Sequence, residues 1–320
     1  MTKFAILGFG FMGKKHFDII EKNPHTTLVA IIDNNVENQN PDTEYYQCLD
    51  SFLEQKPEVD IVLIATPNVA HFAEAQQLLQ NGYNVFLEKP YCLKKEETEI
   101  LTQTAEKHKK NIFFSNQNRY SEISKFLKKI QEDGLLGEIY LLQTNLFWSR
   151  NANYYQPNSW KGKKDKDGGT LYTQFFHFID LIMWIFGEIH ITNVNAKTLK
   201  HKDIVEIEDT GNVVFGFENG NGIGVLNFST AVYDKNFESS MTIIAEKGTV
   251  KIGGQYFDEI EYCNIKDFDL GTCNITKTSN ADNLNEMISQ ISQKHNNFSN
   301  EGFSQSFSVV KKIEEIYNFN

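Results

Sequence analysis

The sequence is poor in cysteine and in positive charge, and each scarcity excludes something. Its four cysteines, Cys48, Cys92, Cys263 and Cys273, form no C-x-x-C pair, which excludes a zinc ribbon or a dithiol motif. No metal site is expected. Scattered thiols of this kind suit a reducing cytoplasm, where disulfides are rare. Positive charge is also short. The 31 Lys and Arg against 42 Asp and Glu leave a net charge of −11, which argues against capture of nucleic acid or anionic lipid. No apolar run approaches the roughly 20 residues that a membrane helix needs. The stretch after Lys3 runs into a glycine turn where a secretory leader would place its apolar core. What remains is ample for a core: 40% hydrophobic and 13% aromatic residues in a 320-residue chain, a length suited to about two domains. A cytoplasmic globular protein is expected.

Residues 1–120 alternate short apolar runs with amphipathic stretches. Phe4–Leu7, Leu28–Ile32, Ile61–Ala65, Val85–Leu87 and Ile112–Phe114 are continuously apolar, the pattern of strands covered on both faces. Helical spacing falls between them. The rhythm predicts an α/β domain with a doubly wound parallel sheet. From residue 121 to 320 the pattern changes to α+β, with a large open, mainly antiparallel sheet. A long strand is expected at Ile139–Trp148, a lysine-rich loop at Asn151–Gly168 and one apolar helix at Leu171–Phe186. Shorter strands follow at Asn212–Phe217, Gly224–Phe228 and Met241–Ala245, with Asn219-Gly220-Asn221-Gly222 as a hairpin signal. Two closing helices, Asn283–Ile291 and Phe303–Tyr317, leave open a return to the first domain.

Gly8-Phe9-Gly10-Phe11-Met12-Gly13 follows the first strand and opens a helix. The glycines serve a tight turn, close backbone approach to a pyrophosphate and helix–sheet packing. Asp33, with Asn34 beside it, ends the second strand at the spacing where a carboxylate accepts a hydrogen bond from the adenosine ribose 2′-OH. No arginine stands near to take a 2′-phosphate, so NAD is favoured over NADP. Ligands of open α/β sheets bind where loops leave the strand ends. Ala65-Thr66-Pro67-Asn68 with His71 and Glu88-Lys89-Pro90 are two such loops.

At Glu88-Lys89-Pro90 the chain begins to resemble the glucose–fructose oxidoreductase / inositol dehydrogenase / MocA family of NAD(P)-dependent oxidoreductases. The resemblance runs almost end to end. It takes in the glycine fingerprint, the A-T-P-x-x-x-H loop (Ala65 to His71), Gln117 and Arg119 after the fifth strand, and Gly168-Gly169 leading to His177 and Asp180. It implies that Lys89 and His177 flank the substrate carbon facing the nicotinamide. The run Trp160-Lys161-Gly162, Asp167-Gly168-Gly169, Gln174, His177, Asp180 is similar to a subgroup that oxidises the 3-hydroxyl of UDP-linked N-acetylated glucuronic acids for surface polysaccharides. Lys161 and Thr173 replace that subgroup's arginine and asparagine.

Oxidising a secondary alcohol needs a hydride acceptor, a base and a group to stabilise the developing alkoxide. Histidine titrates near neutral pH, which makes His177 a base. Lys89 can stabilise charge on the same oxygen or, with a lowered pKa, take the proton itself. Both assignments stay open. Arg119 and Arg150 are the only arginines, and guanidinium binds carboxylates and phosphates by a two-pronged fork. They are expected at substrate, together with Thr173, Gln174 and the aromatic residues Trp148, Tyr154, Tyr155 and Trp160. The expected partner is a small-molecule sugar or sugar nucleotide. Alternatives are a free sugar or cyclitol, or a non-catalytic NAD-dependent sensor. Apolar alternation in Val213-Val214-Phe215 and Val225-Leu226-Asn227-Phe228 suggests a sheet face that pairs with another subunit, as a homodimer or homotetramer.

Overall fold

The computed structural model describes residues 1–35, 43–156, 159–273 and 275–319. Contacts divide the chain into two units, Met1–Asn116 with Leu284–Lys311, and Gln117–Asn283 with Lys312–Asn320.

The first unit begins with β1 (Thr2–Leu7), α1 (Phe11–Lys22), β2 (Thr26–Ile32), β3 (Glu44–Tyr46), α2 (Leu49–Gln55) and β4 (Ile61–Ile64). It continues with α3 (His71–Gln80), β5 (Asn84–Leu87), α4 (Lys95–His108) and β6 (Ile112–Phe114). The strands form one parallel sheet in the order β3-β2-β1-β4-β5-β6. Every residue of β4 and β5 is buried, as an apolar strand with helices on both faces must be. The order reverses between β1 and β4, which opens a crevice at their carboxyl ends. Sequence reading passed over β3, a three-residue edge strand with no apolar run to mark it.

The second unit starts with a 3₁₀ turn, Gln117–Tyr120, followed by α5 (Glu122–Glu132), β7 (Ile139–Phe147), α6 (Lys164–Asp167), α7 (Thr170–Thr173) and α8 (Phe176–Phe186). The strands β8 (Ile189–Lys197), β9 (Thr210–Phe217), β10 (Ile223–Ser229), β11 (Glu238–Ala245), β12 (Gly248–Gly253) and β13 (Glu259–Ile265) come next. Their sheet runs β13-β12-β11-β7-β10-β9-β8, antiparallel except where β7 and β10 lie parallel. The lysine-rich loop contains the single turn α6, and its residues 157 and 158 lie outside the described residues. The expected single helix at 171–186 is two, broken at Gln174 and Phe175, and no glycine or proline marks the break.

One face of this sheet is covered by aromatic packing from the α8 region. Phe175 meets Trp148 at 5.2 Å and Phe178 meets Phe257 at 4.8 Å between ring centroids. Val213, Phe215, Leu226 and Phe228 point to that covered face and are buried, which corrects their expected place against another subunit. The alternation reports the inner face. The other face carries half-buried Val214 and Val225 and a row of asparagines in register, Asn195, Asn212, Asn227 and Asn145.

The chain closes with α9 (Asn280–Lys294) and α10 (Phe303–Tyr317). Within the first unit, Asn111 Nδ2 donates to the carbonyls of His295 (3.2 Å) and Asn297 (2.9 Å), and Phe307 packs edge-on against Phe114.

Candidate active site

The glycine turn connects β1 to α1. Gly8 adopts φ +92°, and a Cβ there would stand 2.9 Å from the backbone of Ala65 and Thr66. A Cβ on Gly13 would reach 2.1 Å from the Gly8 carbonyl oxygen. These two glycines therefore admit neighbouring backbone. Gly10 differs: nothing lies within 4 Å of its would-be Cβ. Gly10 caps α1 without any side-chain hydrogen bond, leaving the first-turn N–H groups to an incoming anion. The Asp33 carboxylate accepts from Phe9 N–H (2.6 Å) and Asn35 N–H (2.8 Å), which ties the end of β2 to the turn. Asn34, Phe11 and Met12 complete the rim, with Asn34 and Phe11 exposed and Met12 half-buried. An open helix N-terminus beside a fixed carboxylate fits a dinucleotide, which supplies a hydride acceptor when bound.

The two loops beyond β4 and β5 are braced by their own side chains. His71 is buried, its Nδ1 at 2.7 Å from the Pro90 carbonyl and its Nε2 at 3.0 Å from that of Thr66. Burial lowers its pKa, against the pull of the two carbonyls. The Thr66 hydroxyl donates to Glu74 Oε2 at 2.5 Å, and burial raises the Glu74 carboxyl to about 7. Glu88, only 4% exposed, lies 2.6 Å from His16 Nε2 and accepts from the Ser115 hydroxyl (3.0 Å) and Lys89 N–H (3.0 Å). His71 and Glu88 thus brace the two loops with their side chains. Pro67 and the buried Asn68 stand at the head of α3. Lys89 is half-buried, and the Lys89–Pro90 peptide is cis.

In the second unit, His177 lies in the first turn of α8, half-buried on a helix whose other residues are apolar except Asp180. Gln117 Nε2 lies 3.3 Å from His177 Nε2. One turn on, Asp180 takes the Arg119 guanidinium in a fork, Nε to Oδ2 at 2.8 Å and Nη2 to Oδ1 at 2.5 Å. Arg119 also lies against the Trp184 ring. The Arg119 side chain is 9% exposed, so its fork is spent on Asp180 and clamps the 3₁₀ turn to α8.

Arg150 is placed otherwise. Its Nε donates to Gln174 Oε1 (2.7 Å) and its Nη1 to the Ser149 carbonyl (2.7 Å) and Asn236 Oδ1 (3.3 Å). Gln174 Nε2 donates to the Tyr154 hydroxyl at 2.7 Å. Both Arg150 and Lys161 lie against the Tyr154 ring, 5.2 and 4.1 Å from its centroid. Burial lowers the Lys161 pKa; the Asp167 charge opposes the shift and the smaller effect of Arg150 adds to it. Asp167, fully buried behind them, accepts from Gly162 N–H (2.8 Å) and from the Thr173 hydroxyl. Thr173 therefore fastens α7 to the turn before it. Tyr155 is buried with Val205 and Ile207 and its phenol is pushed up to about 12, so of the two neighbouring tyrosines it is Tyr154 that meets the cations. Trp160 is half-buried, with its carbonyl accepting from Lys163 N–H. Asn236 had no sequence signal, because it arrives from the connection between β10 and β11. Among the described residues no cluster of three or more His, Cys, Asp or Glu could hold a metal.

Comparison with known proteins separates family from activity. A family model described as an oxidoreductase family with an NAD-binding Rossmann fold matches residues 2–116, and the GFO/IDH/MocA C-terminal domain model matches residues 125–251. The chain belongs to the Gfo/Idh/MocA oxidoreductase family. NAD is the cofactor of this family's Rossmann domain, and solved members have been crystallised with NADH. The WlbA dehydrogenase of Chromobacterium violaceum, solved with NADH and UDP-GlcNAcA, is 26% identical with a TM-score of 0.89 over 99% of this chain and 93% of its own. The Bordetella pertussis WlbA complex gives 26% identity and 0.86 over 99% and 94%. A 2,7-anhydro-N-acetylneuraminate hydratase from Mediterraneibacter gnavus is 28% identical over 60% of this chain and 52% of its own length. The scyllo-inositol 2-dehydrogenase (NADP+) of Bacillus subtilis is 26% identical over 58% and 52%. The chain spans about half the length of the curated relatives it matches. No helix among the described residues is long and apolar enough to cross a membrane.

Proposed function

We propose that this Gfo/Idh/MocA protein is an NAD-dependent dehydrogenase of a sugar nucleotide, oxidising a ring hydroxyl, C3, of a UDP-N-acetylated amino sugar acid for surface-polysaccharide biosynthesis. One observation carries the reading: Arg150 and Lys161 are drawn to a single aromatic ring, Tyr154, with their common carboxylate neighbour Asp167 already bonded to Gly162 and Thr173. Two cations at partial burial beside one buried carboxylate leave an excess of positive charge that an added anion would offset. A sugar nucleotide brings two kinds of anion, a uronate and a diphosphate. Both WlbA structures were solved with such a molecule, which supports the substrate class.

In this reading Lys89 and His177 are the proton-transfer pair. His177 or Lys89 would take the hydroxyl proton, and a dinucleotide held at Gly8–Gly13 and Asp33 would supply the hydride acceptor, so that one alcohol and one NAD+ give one ketone, one NADH and one proton. Arg119 and Asp180 hold α8 in place, and Glu88, through Lys89 N–H, fixes the backbone that carries the ammonium. The polar row and the two valines on the open sheet face would be covered by a second copy, as a homodimer or homotetramer. The four free cysteines suit a cytoplasmic site of action.

The test is direct. With NAD+, UDP-GlcNAcA should raise absorbance at the NADH band and raise the melting temperature. Turnover of myo-inositol or glucose without UDP-GlcNAcA would move the assignment to the inositol-type members, and NADH binding with no turnover of any sugar would leave a sensor.

A further inference from the structure

We infer that Tyr317, from the last turn of α10, and Glu208 together form a clasp that positions the substrate-binding turn α7, a role that rests on the function proposed above. The turn α7 has four residues, too few to hold itself, since a first helical turn fixes several residues for one hydrogen bond. Its N-cap is Gly169, which supplies no side chain. The orphan N–H groups are met from outside: Thr170 N–H donates to Glu208 Oε1 (2.9 Å) and Leu171 N–H to the Tyr317 hydroxyl (2.9 Å). Tyr317 in turn donates its own proton to Glu208 Oε1 at 2.5 Å, and the Thr170 hydroxyl bonds the Glu208 carbonyl. The Tyr172 ring packs on that of Tyr317, 5.9 Å between centroids.

The glycine pair fits the clasp. Gly169 has φ +129°, and a Cβ on it would stand 2.2 Å from the Tyr317 hydroxyl. The second glycine of D-G-G is thus the space the phenol occupies. What α7 holds explains the consequence. Gln174 N–H closes onto Thr170 O at 2.9 Å, and the Gln174 side chain is the link between Arg150 and Tyr154. If α7 frays, the cation pair loses its anchor. Tyr317 and Glu208 touch neither Arg150 nor Lys161 in any hydrogen bond described above, so they act through Gln174 as positioning residues.

Tyr317→Phe removes the hydroxyl and keeps the ring, Glu208→Ala removes the acceptor, and Glu208→Gln keeps one acceptor oxygen. Amide hydrogen exchange on the full-length chain and kinetics with UDP-GlcNAcA read the result. In Tyr317→Phe and Glu208→Ala, exchange across 170–174 should speed up by about tenfold, the cost of one unmet buried N–H. The KM for UDP-GlcNAcA should rise by a similar factor, with kcat and the NADH dissociation constant within about threefold of wild type. Glu208→Gln should recover most of both. Unchanged exchange overturns the clasp. So does faster exchange with no change in KM, or an equal loss in kcat and NADH binding. If the wild type binds no UDP-GlcNAcA, the proposed substrate fails, while the exchange measurement still decides the clasp.

Discussion

Single side chains carry the chemistry, and burial decides what each can do. Removing Lys89 or His177 as alanine should lower kcat by about 10²- to 10⁴-fold while NADH titration shows an unchanged dissociation constant. Activity within tenfold of wild type in either variant would remove that residue from proton transfer. Glu74 offers a test by pH. Its carboxyl is raised from 4.5 to about 7 chiefly by burial, so the folded state holds its proton more tightly than the unfolded chain. The protonated form's advantage is complete below pH 4.5 and is lost as pH rises through about 7. Glu74→Gln mimics the protonated group. Denaturant unfolding should therefore show wild type losing up to about 3 kcal/mol relative to this variant between pH 4.5 and 7. A difference independent of pH would disprove the assignment.

At the scale of elements, the glycine turn separates two duties. Gly13→Ala drives a Cβ into the Gly8 carbonyl and should abolish or severely weaken folding. Gly10→Ala meets open space at φ −74°, so the apo melting temperature should hold while NADH affinity falls by tenfold or more. Equal melting losses in both variants would mean that Gly10 is structural too. The clamp between the 3₁₀ turn and α8 makes the opposite prediction. Arg119→Met strands Asp180, whose side chain is 2% exposed, and should cost about 3 kcal/mol in urea unfolding. The KM for UDP-GlcNAcA per folded molecule should stay unchanged, because the guanidinium is spent inside the protein.

At the scale of the whole molecule, the exposed face of the second sheet is the proposed seat of self-association. Val214 and Val225 pair across β9 and β10 on that face. Light scattering at micromolar concentration should show more than one chain for wild type and a shift to monomer for Val225→Glu. A wild-type monomer would leave the face to solvent, and its asparagine row would then be a solvated surface.

Much of the fold was legible because burial leaves a pattern in one dimension. Continuous apolar runs announced β1, β2, β4, β5 and β6, and Gly8 to Gly13 with Asp33 announced the dinucleotide turn. The three-residue β3 and the break inside 171–186 left no such trace. For the proposed site, rarity singled out Arg150 and Arg119 alike, but could not show that Arg119 forks onto Asp180, since rarity says nothing of which carboxylate waits nearby. Sequence alone determined the alternation of elements, the glycine cradle and the residue types available for proton transfer, because these depend on neighbours in the chain. Tertiary structure alone decided that Tyr154 and not Tyr155 meets the cations, that His71 and Glu88 are braces, and that Tyr317 caps a turn nearly 150 residues away. Hydrogen bonds and burial join residues remote in sequence, and no local pattern encodes them.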